Sequence, residues 1–148
     1  MPYCTVTDVE ERMTTTLVAQ LSNDVDGSSV DAAIVSNAIT LSDNDINDYL
    51  RGRYALPIAS ASVETLKTLR DFSLSLTEYR LYARRLKGQT MPEMYTSERN
   101  RVMSELQKIQ RGERTLDAQG AGANGRKPSF SRANCREEVF SDGTLSQY

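Results

Sequence analysis

Apolar side chains recur at the three- and four-residue spacing of amphipathic helices along most of residues 1–116. A first helix is predicted to begin at Thr7, whose hydroxyl can cap the first turn while the Glu10 side chain reaches back to the cap amide. Turn-forming residues fill segment 22–29 and are expected to end this helix. Its apolar stripe consists of Val9, Met13, Leu17 and Leu21.

A second helix is predicted to open at the capping pair Ser28 and Asp31 and to run into a corner at residues 44–58. At this corner Gly52 can relax the backbone, and Pro57 prevents the helix from continuing. The apolar positions of the second helix are Ile34, Ala38, Ile39, Ile46, Tyr49 and Leu50.

Two more helices are expected after the corner. The third begins after Ser62 and carries the longest apolar stripe, so it should be the central helix. The fourth begins with Thr90 as its cap and Pro92 in its first turn, and Gly112 ends it. The apolar positions of the third helix are Leu66, Leu69, Phe72, Leu76, Tyr79 and Leu86, and those of the fourth are Tyr95, Val102, Leu106 and Ile109.

These elements predict an all-α fold, with a four-helix bundle over residues 1–116 in which Leu50 and Leu56 pin the second helix to the third. The helical pattern then stops, and residues 117–148 are predicted to form an extended C-terminal arm. A short β-hairpin at residues 138–147 is expected within the arm, because an Asp-Gly turn lies between two β-capable runs.

Composition narrows the class of protein. The apolar content of 39% is lean for a chain that buries every segment. No apolar run could cross a bilayer and the N-terminus lacks signal-sequence features, so a soluble, intracellular product without a membrane partner is expected. The chain has no histidine, and Cys4 and Cys135 lie far apart, which argues against a zinc site and favours two reduced thiols over a disulfide. Without histidine the commonest general base is missing, so neither catalysis nor a cofactor is expected.

Charge is distributed unevenly along the chain. Residues 1–50 hold nine acids and one base, residues 51–116 hold seven acids and thirteen bases, and the remainder is balanced. Two arrangements would explain this asymmetry. The two halves could neutralise each other inside one fold, or an acidic face of one copy could meet a basic face of the next in a head-to-tail ring.

Two motif matches lack the context that their chemistry needs. The glycines of segment 120–125 match G-x-G-x-x-G, but no strand precedes them and no helix follows, so a linker is favoured over a dinucleotide site. Asp43, Asp45 and Asn47 imitate the start of a calcium loop without its glycine or its bidentate glutamate. These three are expected to be polar residues on the exposed face of the second helix.

The bases of the second half could form a phosphate-binding face. Its members would be Arg51, Arg53, Arg80, Arg84, Arg85, Lys87, Arg99 and Arg101. No recognition-helix, zinc-finger or RNA-binding signature accompanies them, and the isoelectric point is about 5.2. A solvated or subunit-contacting face is therefore favoured, and a small helical nucleic-acid-binding or regulatory protein stays the alternative.

Four stretches in order resemble a known family. They are Tyr3-Cys-Thr-Val-Thr-Asp-Val-Glu10, Ile46-x-x-Tyr-Leu-x-x-Arg-Tyr-x-Leu-Pro57, Tyr79-Arg-Leu-Tyr82, and Ile109-x-x-Gly112 with Leu116. Over residues 3–116 the chain is similar to the Mu-like phage and prophage head-to-tail joining proteins, which are head completion or adaptor proteins.

The resemblance implies a structural role without catalysis. Such adaptors form a ring, usually twelvefold, beneath the portal, where they extend the DNA channel and offer a platform for the stopper or tail. The implied partners are sibling subunits, the portal protein, the stopper or tail-completion protein, and the genomic DNA that passes through. The implied location is the neck of the virion, after synthesis in the bacterial cytoplasm.

Residues on the corner, on the third helix and on the arm are predicted to contact sibling subunits or the portal. An arm that reaches the portal is what the resemblance implies for residues 117–148, on position alone. The predicted contact residues are Arg51, Arg53, Tyr54, Arg84, Arg85, Arg126, Lys127, Phe130, Arg132, Val139, Phe140 and Leu145.

Overall fold

A computed structural model describes residues 2–56, 58, 61–86 and 90–118. The helices in these ranges are α1 (Val6–Met13), α2 (Thr15–Ser22), α3 (Ala32–Leu50), α4 (Val63–Leu86) and α5 (Glu93–Arg111). This part of the chain has no strand beyond an isolated antiparallel bridge between Ala61 and Ala118. The predicted all-α class is confirmed. Most of the predicted arm and the whole predicted hairpin lie outside the described residues.

The first predicted helix is in fact two short helices. Its cap is Thr5 rather than Thr7: the Asp8 amide donates to the Thr5 hydroxyl (3.3 Å) and the Asp8 carboxylate accepts from the Thr5 amide (2.8 Å). Between α1 and α2 lies Thr14, whose φ of 71° is in the left-handed region that β-branched residues avoid. The break changes which face is buried, so Val18 is fully buried while Leu17 is only half-buried.

Helices α3 and α4 form an antiparallel pair joined by the corner. The predicted capping pair of Ser28 and Asp31 is wrong in its first member: α3 begins three residues later, and its cap is Asp31, whose carboxylate accepts from two amides of the first turn. The α4 cap is also confirmed, because the Thr65 amide donates to the Ser62 hydroxyl at 3.3 Å. The prediction for Gly52 is wrong: among the described glycines only Gly27 and Gly112 have positive φ, and α3 ends instead through ordinary turn bonds to the Leu50 carbonyl.

The second half of helix α5 packs on the same end of this pair as the corner. The predicted Thr90 cap is wrong, because the cap position belongs to Pro92 and no side chain caps the helix there. Gly112 ends α5 as predicted, with φ of 84° and its amide donating to the Ile109 carbonyl at 3.1 Å. A β-carbon at Gly112 would lie 1.8 Å from the Arg53 guanidinium, so the corner and the end of α5 touch at this point.

The helices enclose two apolar cores, and α4 contacts all four other helices, as expected of the central helix. The corner core joins α5 to one end of the α3 and α4 pair, with Leu50 fully buried and Leu56 packed against it as predicted. The N-terminal core joins α1 and α2 to the other end. The corner core consists of Ile46, Leu50, Tyr54, Ile58, Leu69, Phe72, Leu76, Val102, Leu106, Ile109 and Leu116. The N-terminal core consists of Cys4, Val9, Met13, Val18, Leu21, Val35, Ala38, Ile39, Leu74 and Leu81.

Candidate functional site

The corner divides its three predicted contact residues between surface and interior. Arg51 is exposed and lies 3.5 Å from Asp48, one turn earlier on α3. Arg53 is half-buried against Gly112, and within the described ranges its guanidinium has no ion-pair partner. Tyr54 is only 7% exposed, and its hydroxyl accepts from the Leu116 amide at 2.8 Å. The expectation that Tyr54 faces a neighbouring subunit is therefore wrong for this fold, because its side chain is part of the corner core.

The two predicted contact residues on α4 are engaged within the chain. Arg84 pairs with Asp24 in the loop between α2 and α3, and it also donates to the Leu21 carbonyl at 3.1 Å. Arg85 lies 3.3 Å from the same Asp24 carboxylate. Both guanidiniums thus tether this loop to the C-terminal end of α4.

Ion pairs inside the fold neutralise part of the uneven charge of the chain. Acids of the first fifty residues face arginines of α4 across the helix interfaces, in the pairs Asp8–Arg70, Asp45–Arg80 and Asp24–Arg84. In addition, the Arg99 guanidinium lies 5.1 Å from the centre of the Tyr79 ring. These pairs correspond to the first of the two arrangements that the sequence left open, in which the two halves neutralise each other inside one fold. The phosphate-binding face that the sequence left as the less favoured alternative therefore loses Arg80, Arg84 and Arg85 to neighbouring carboxylates.

A buried polar cluster fixes the N-terminal segment onto α3 and α4. The Asp43 carboxylate accepts from the Tyr3 amide (3.0 Å) and from the Ser73 hydroxyl (2.6 Å), and the Tyr3 hydroxyl donates to Asn47 (2.6 Å). Burial raises the pKa of Asp43, and the bonds from Ser73 and Tyr3 offset part of that rise. The expectation that Asp43 lies on an exposed helix face is wrong, because helix periodicity turns it inward beside Ser42 and Ile46.

Cys4 belongs to the same cluster. Its free thiol lies 3.2 Å from the Ser73 hydroxyl and is almost completely buried. Burial raises the pKa of the Cys4 thiol to about 11, with the Ser73 hydrogen bond acting in the opposite direction. A thiol with so high a pKa carries almost no thiolate at neutral pH, so Cys4 is a poor nucleophile. Its contact with Ser73, which in turn bonds to Asp43, holds the N-terminal segment on α3 and α4, and we call this contact set the clamp.

Arg12 is the centre of a second polar network, which joins α1 to α4 and α5. Its guanidinium donates to Asp71 (2.6 Å), to Glu78 (2.9 Å) and to the Ser75 hydroxyl (3.2 Å). From α5, Arg101 binds Glu98 (2.6 Å) and reaches Asp71 (3.3 Å). Burial raises the pKa of Glu78 while the Arg12 charge lowers it, and the Arg101 hydrogen bond lowers the pKa of Glu98.

Sequence reasoning did not single out this network. One signal was available, since Arg12 is the only base in the first fifty residues. When a segment with nine acids has a single base and that base lies on an amphipathic helix, the base is expected to pair with a specific carboxylate.

A groove of about 810 Å³ lies over this network, between α1, α2 and the start of α5. Its apolar lining consists of Met13, Leu17, Met94 and Tyr95, and its polar lining includes Arg12, Glu78, Glu98 and Arg101. Met94 is 67% exposed there. The Tyr95 hydroxyl donates to Tyr82 at 2.7 Å, and burial together with this bond raises the pKa of Tyr82 to about 12. The groove is thus a firm apolar surface bordered by charge.

The remaining predicted contact residues lie outside the described part of the chain. They are Arg126, Lys127, Phe130, Arg132, Val139, Phe140 and Leu145. Within the described part, no helix is long and apolar enough to cross a membrane.

Comparison with known proteins yields one family. A family model described as Bacteriophage Mu, Gp36 matches residues 3–132. No curated protein matches the chain. The match starts where the motif resemblance starts, but it continues past residue 116, where the resemblance stopped. The boundary drawn from the motifs was therefore too short, and part of the predicted arm lies within the family pattern.

Proposed function

The chain belongs to the bacteriophage Mu Gp36 family, and on that premise we propose that it is a structural head–tail connector, or adaptor, of a tailed phage. In this role a ring of subunits docks beneath the portal in the virion neck. The ring extends the DNA channel and offers a platform for the stopper or tail. The proposed partners are sibling subunits, the portal protein and the next neck protein, and no catalysis is involved.

The observation that carries this proposal is the family match over residues 3–132. The all-α fold is compatible with it. The described polar clusters also fit a structural role, because their carboxylates, hydroxyls and guanidiniums are bonded to one another and the one described thiol is buried. Buried polar groups that satisfy each other hold helices in place and have little capacity left for chemistry.

A subunit that joins head to tail should be required for joining and for nothing earlier. We expect a phage that lacks this protein to accumulate DNA-filled heads beside complete free tails, and added protein to restore joined particles. Electron microscopy of the lysate and of purified necks provides the measurement. Complete virions assembled without the chain, or virions that do not contain it, would refute the role.

Among the predicted contact residues, the corner arginines offer a local test. Arg51→Glu reverses an exposed charge on the corner, and Lys67→Glu reverses an exposed charge on α4 as its matched control. We propose that the corner contacts a neighbour, so only Arg51→Glu should lower the yield of joined particles while both variants fold. Equal yields from the two variants would remove the corner from the interface and leave the connector role itself untouched.

A further inference from the structure

The groove over the Arg12 network has an unusual combination of features for a free surface. The Met94 side chain is 67% exposed, yet it lies beside the firmly held Tyr95 and close to Met13. Large apolar side chains in a concave surface are typical of a docking site. The network beneath contains three carboxylates, Asp71, Glu78 and Glu98, against the two guanidiniums of Arg12 and Arg101. An occupant should therefore be apolar at its centre and basic at its ends.

One segment of the chain outside the described residues has that composition. Residues 126–132 read Arg-Lys-Pro-Ser-Phe-Ser-Arg, with three bases, no acid and one central aromatic. The segment is the last part of the family match, which ends at residue 132, whereas the helices end at Arg111. Pro128 restricts the backbone of the segment and lowers the entropy lost when it is ordered.

We propose that residues 126–132 dock in this groove of their own chain, with the Phe130 ring between Met13 and Met94. The bases of the segment then lie near the Arg12 network, which has one carboxylate more than it has guanidiniums. An aromatic ring against methionine side chains gains both apolar burial and sulfur contacts. Because the segment is tethered, its effective concentration is high enough for a modest contact to be occupied.

The reach of the chain permits this contact. The last described residue, Ala118, pairs with Ala61 just before α4 begins. From Val63 to Glu78, beside the groove, α4 rises about 22 Å. The twelve residues from Ala118 to Phe130 can span up to about 40 Å when extended. The segment therefore reaches the groove of its own chain with slack for a curved path.

This inference is independent of the connector role. It assigns the first part of the arm to the bundle and leaves Val139, Phe140 and Leu145 for the contacts proposed with other neck proteins. If residues 126–132 do not dock in the groove, the protein can still be required for head–tail joining. If the protein is not required for joining, the segment can still dock.

Photocrosslinking of the full-length protein tests the proposal. A benzophenone amino acid replaces Phe130 in one sample and Phe140 in a matched control, since both are aromatic positions of the same arm. Benzophenone inserts readily into methionine side chains, so the sample at 130 should give adducts on peptides that contain Met13 or Met94. These adducts should form within single chains, and their yield should not fall on dilution.

A second pair of variants ties the adducts to the groove. Met94→Lys and Val63→Lys each replace an apolar side chain of similar exposure, 67% and 64%, but only Met94 lines the groove. Met94→Lys should reduce the adducts on Met13 roughly fivefold, and Val63→Lys should leave them unchanged. Adducts at 130 that match those at 140, adducts on other surfaces, or adducts found only between two chains would each overturn the proposal.

Discussion

The two cores of this protein are held together by different means. The buried members of the corner core are apolar except for the Tyr54 hydroxyl, which is bonded to the Leu116 amide, and Tyr3 of the polar cluster packs against the edge of this core. The N-terminal core borders the buried cluster of Asp43 and Ser73 and the network of Arg12. Its outer helices, α1 and α2, have eight residues each, which is too short for independent stability. Burial of the apolar stripes is enough to hold the long helices α3, α4 and α5 in place. The short helices α1 and α2 are held by hydrogen bonds and ion pairs as well.

The largest expected effect is in the corner core. Leu106→Ala removes a fully buried side chain from between α5 and the α3–α4 pair and should lower the free energy of unfolding by about 3 kcal/mol. Leu66→Ala, at a side chain that is 41% exposed, is the control and should cost less than about 1 kcal/mol. Denaturant titration of both variants gives the comparison. Equal losses would contradict the assignment of this core.

The next effect is in the buried polar cluster. Asp43→Asn leaves one oxygen to serve the two donors Tyr3 and Ser73, and we expect a loss of about 2 kcal/mol at neutral pH. Hydrogen exchange should then rise first at the Tyr3 and Cys4 amides and at α1. An exchange increase in α5 instead would show that the two cores are not separable in this way.

The same variant makes a prediction about pH. Burial raises the pKa of Asp43 in the folded state above its unfolded value of about 3.9, so the folded state binds more protons between those two values. The part of the Asp43 contribution that depends on protonation is therefore lost as pH rises through the folded pKa, and the hydrogen bonds to Tyr3 and Ser73 account for what remains at neutral pH. The stability gap between wild type and Asp43→Asn should widen as pH falls from 7 toward 4. A gap that narrows over that range would contradict the cause given for the shift.

The Arg12 network should have a smaller effect. Arg12→Ala leaves the buried Glu78 without its cation, and we expect a loss of about 1.5 kcal/mol because both groups are partly solvated. Arg114→Ala breaks an exposed pair with Glu105 and should cost less than about 0.5 kcal/mol. Thermal unfolding of the two variants under the same conditions measures the difference. If they match, the network adds no more than an ordinary surface pair.

The smallest effect has the opposite sign. Thr14 has positive φ between α1 and α2, so Thr14→Gly should relieve strain and stabilise the protein by about 1 kcal/mol. Thr16→Gly, at an exposed position inside α2, should instead destabilise it by about 0.3 kcal/mol. A loss of stability in both variants would mean that the backbone at Thr14 is not strained.

The sequence predicted the corner core better than the N-terminal core, for a physical reason. Helices α3, α4 and α5 are long, so the spacing of their apolar residues identifies the buried face even where a single apolar residue, such as Leu66, is exposed. No glycine or proline in the sequence indicates the helix break at Thr14. The break rotates the buried face of α2 relative to that of α1, so that Val18 is buried in place of Leu17. The inward position of Asp43 could not be predicted either, because its partners Tyr3 and Ser73 are distant in sequence.

The candidate site was predictable only in part. The exposure of Arg51 could be predicted from its place after the apolar stripe of α3. The burial of Tyr54 could not, because it depends on the Leu116 amide, which donates to the Tyr54 hydroxyl. The groove was not predicted, because its lining, which includes Met13 and Met94, comes from four helices that are brought together only by the fold. Side chains that are eighty residues apart leave no periodic signal in one sequence.

The clamp at Tyr3 and Cys4 also constrains the order in which the chain can fold. Tyr3 is separated by 40 residues from Asp43, and Cys4 by 69 residues from Ser73. During translation, the first turns therefore leave the ribosome well before either partner has been made. We expect the α3–α4 hairpin to form first, and the Tyr3–Cys4 segment to pack onto it afterwards in a late, non-local step. The beginning of the chain is thus among the last parts to be secured.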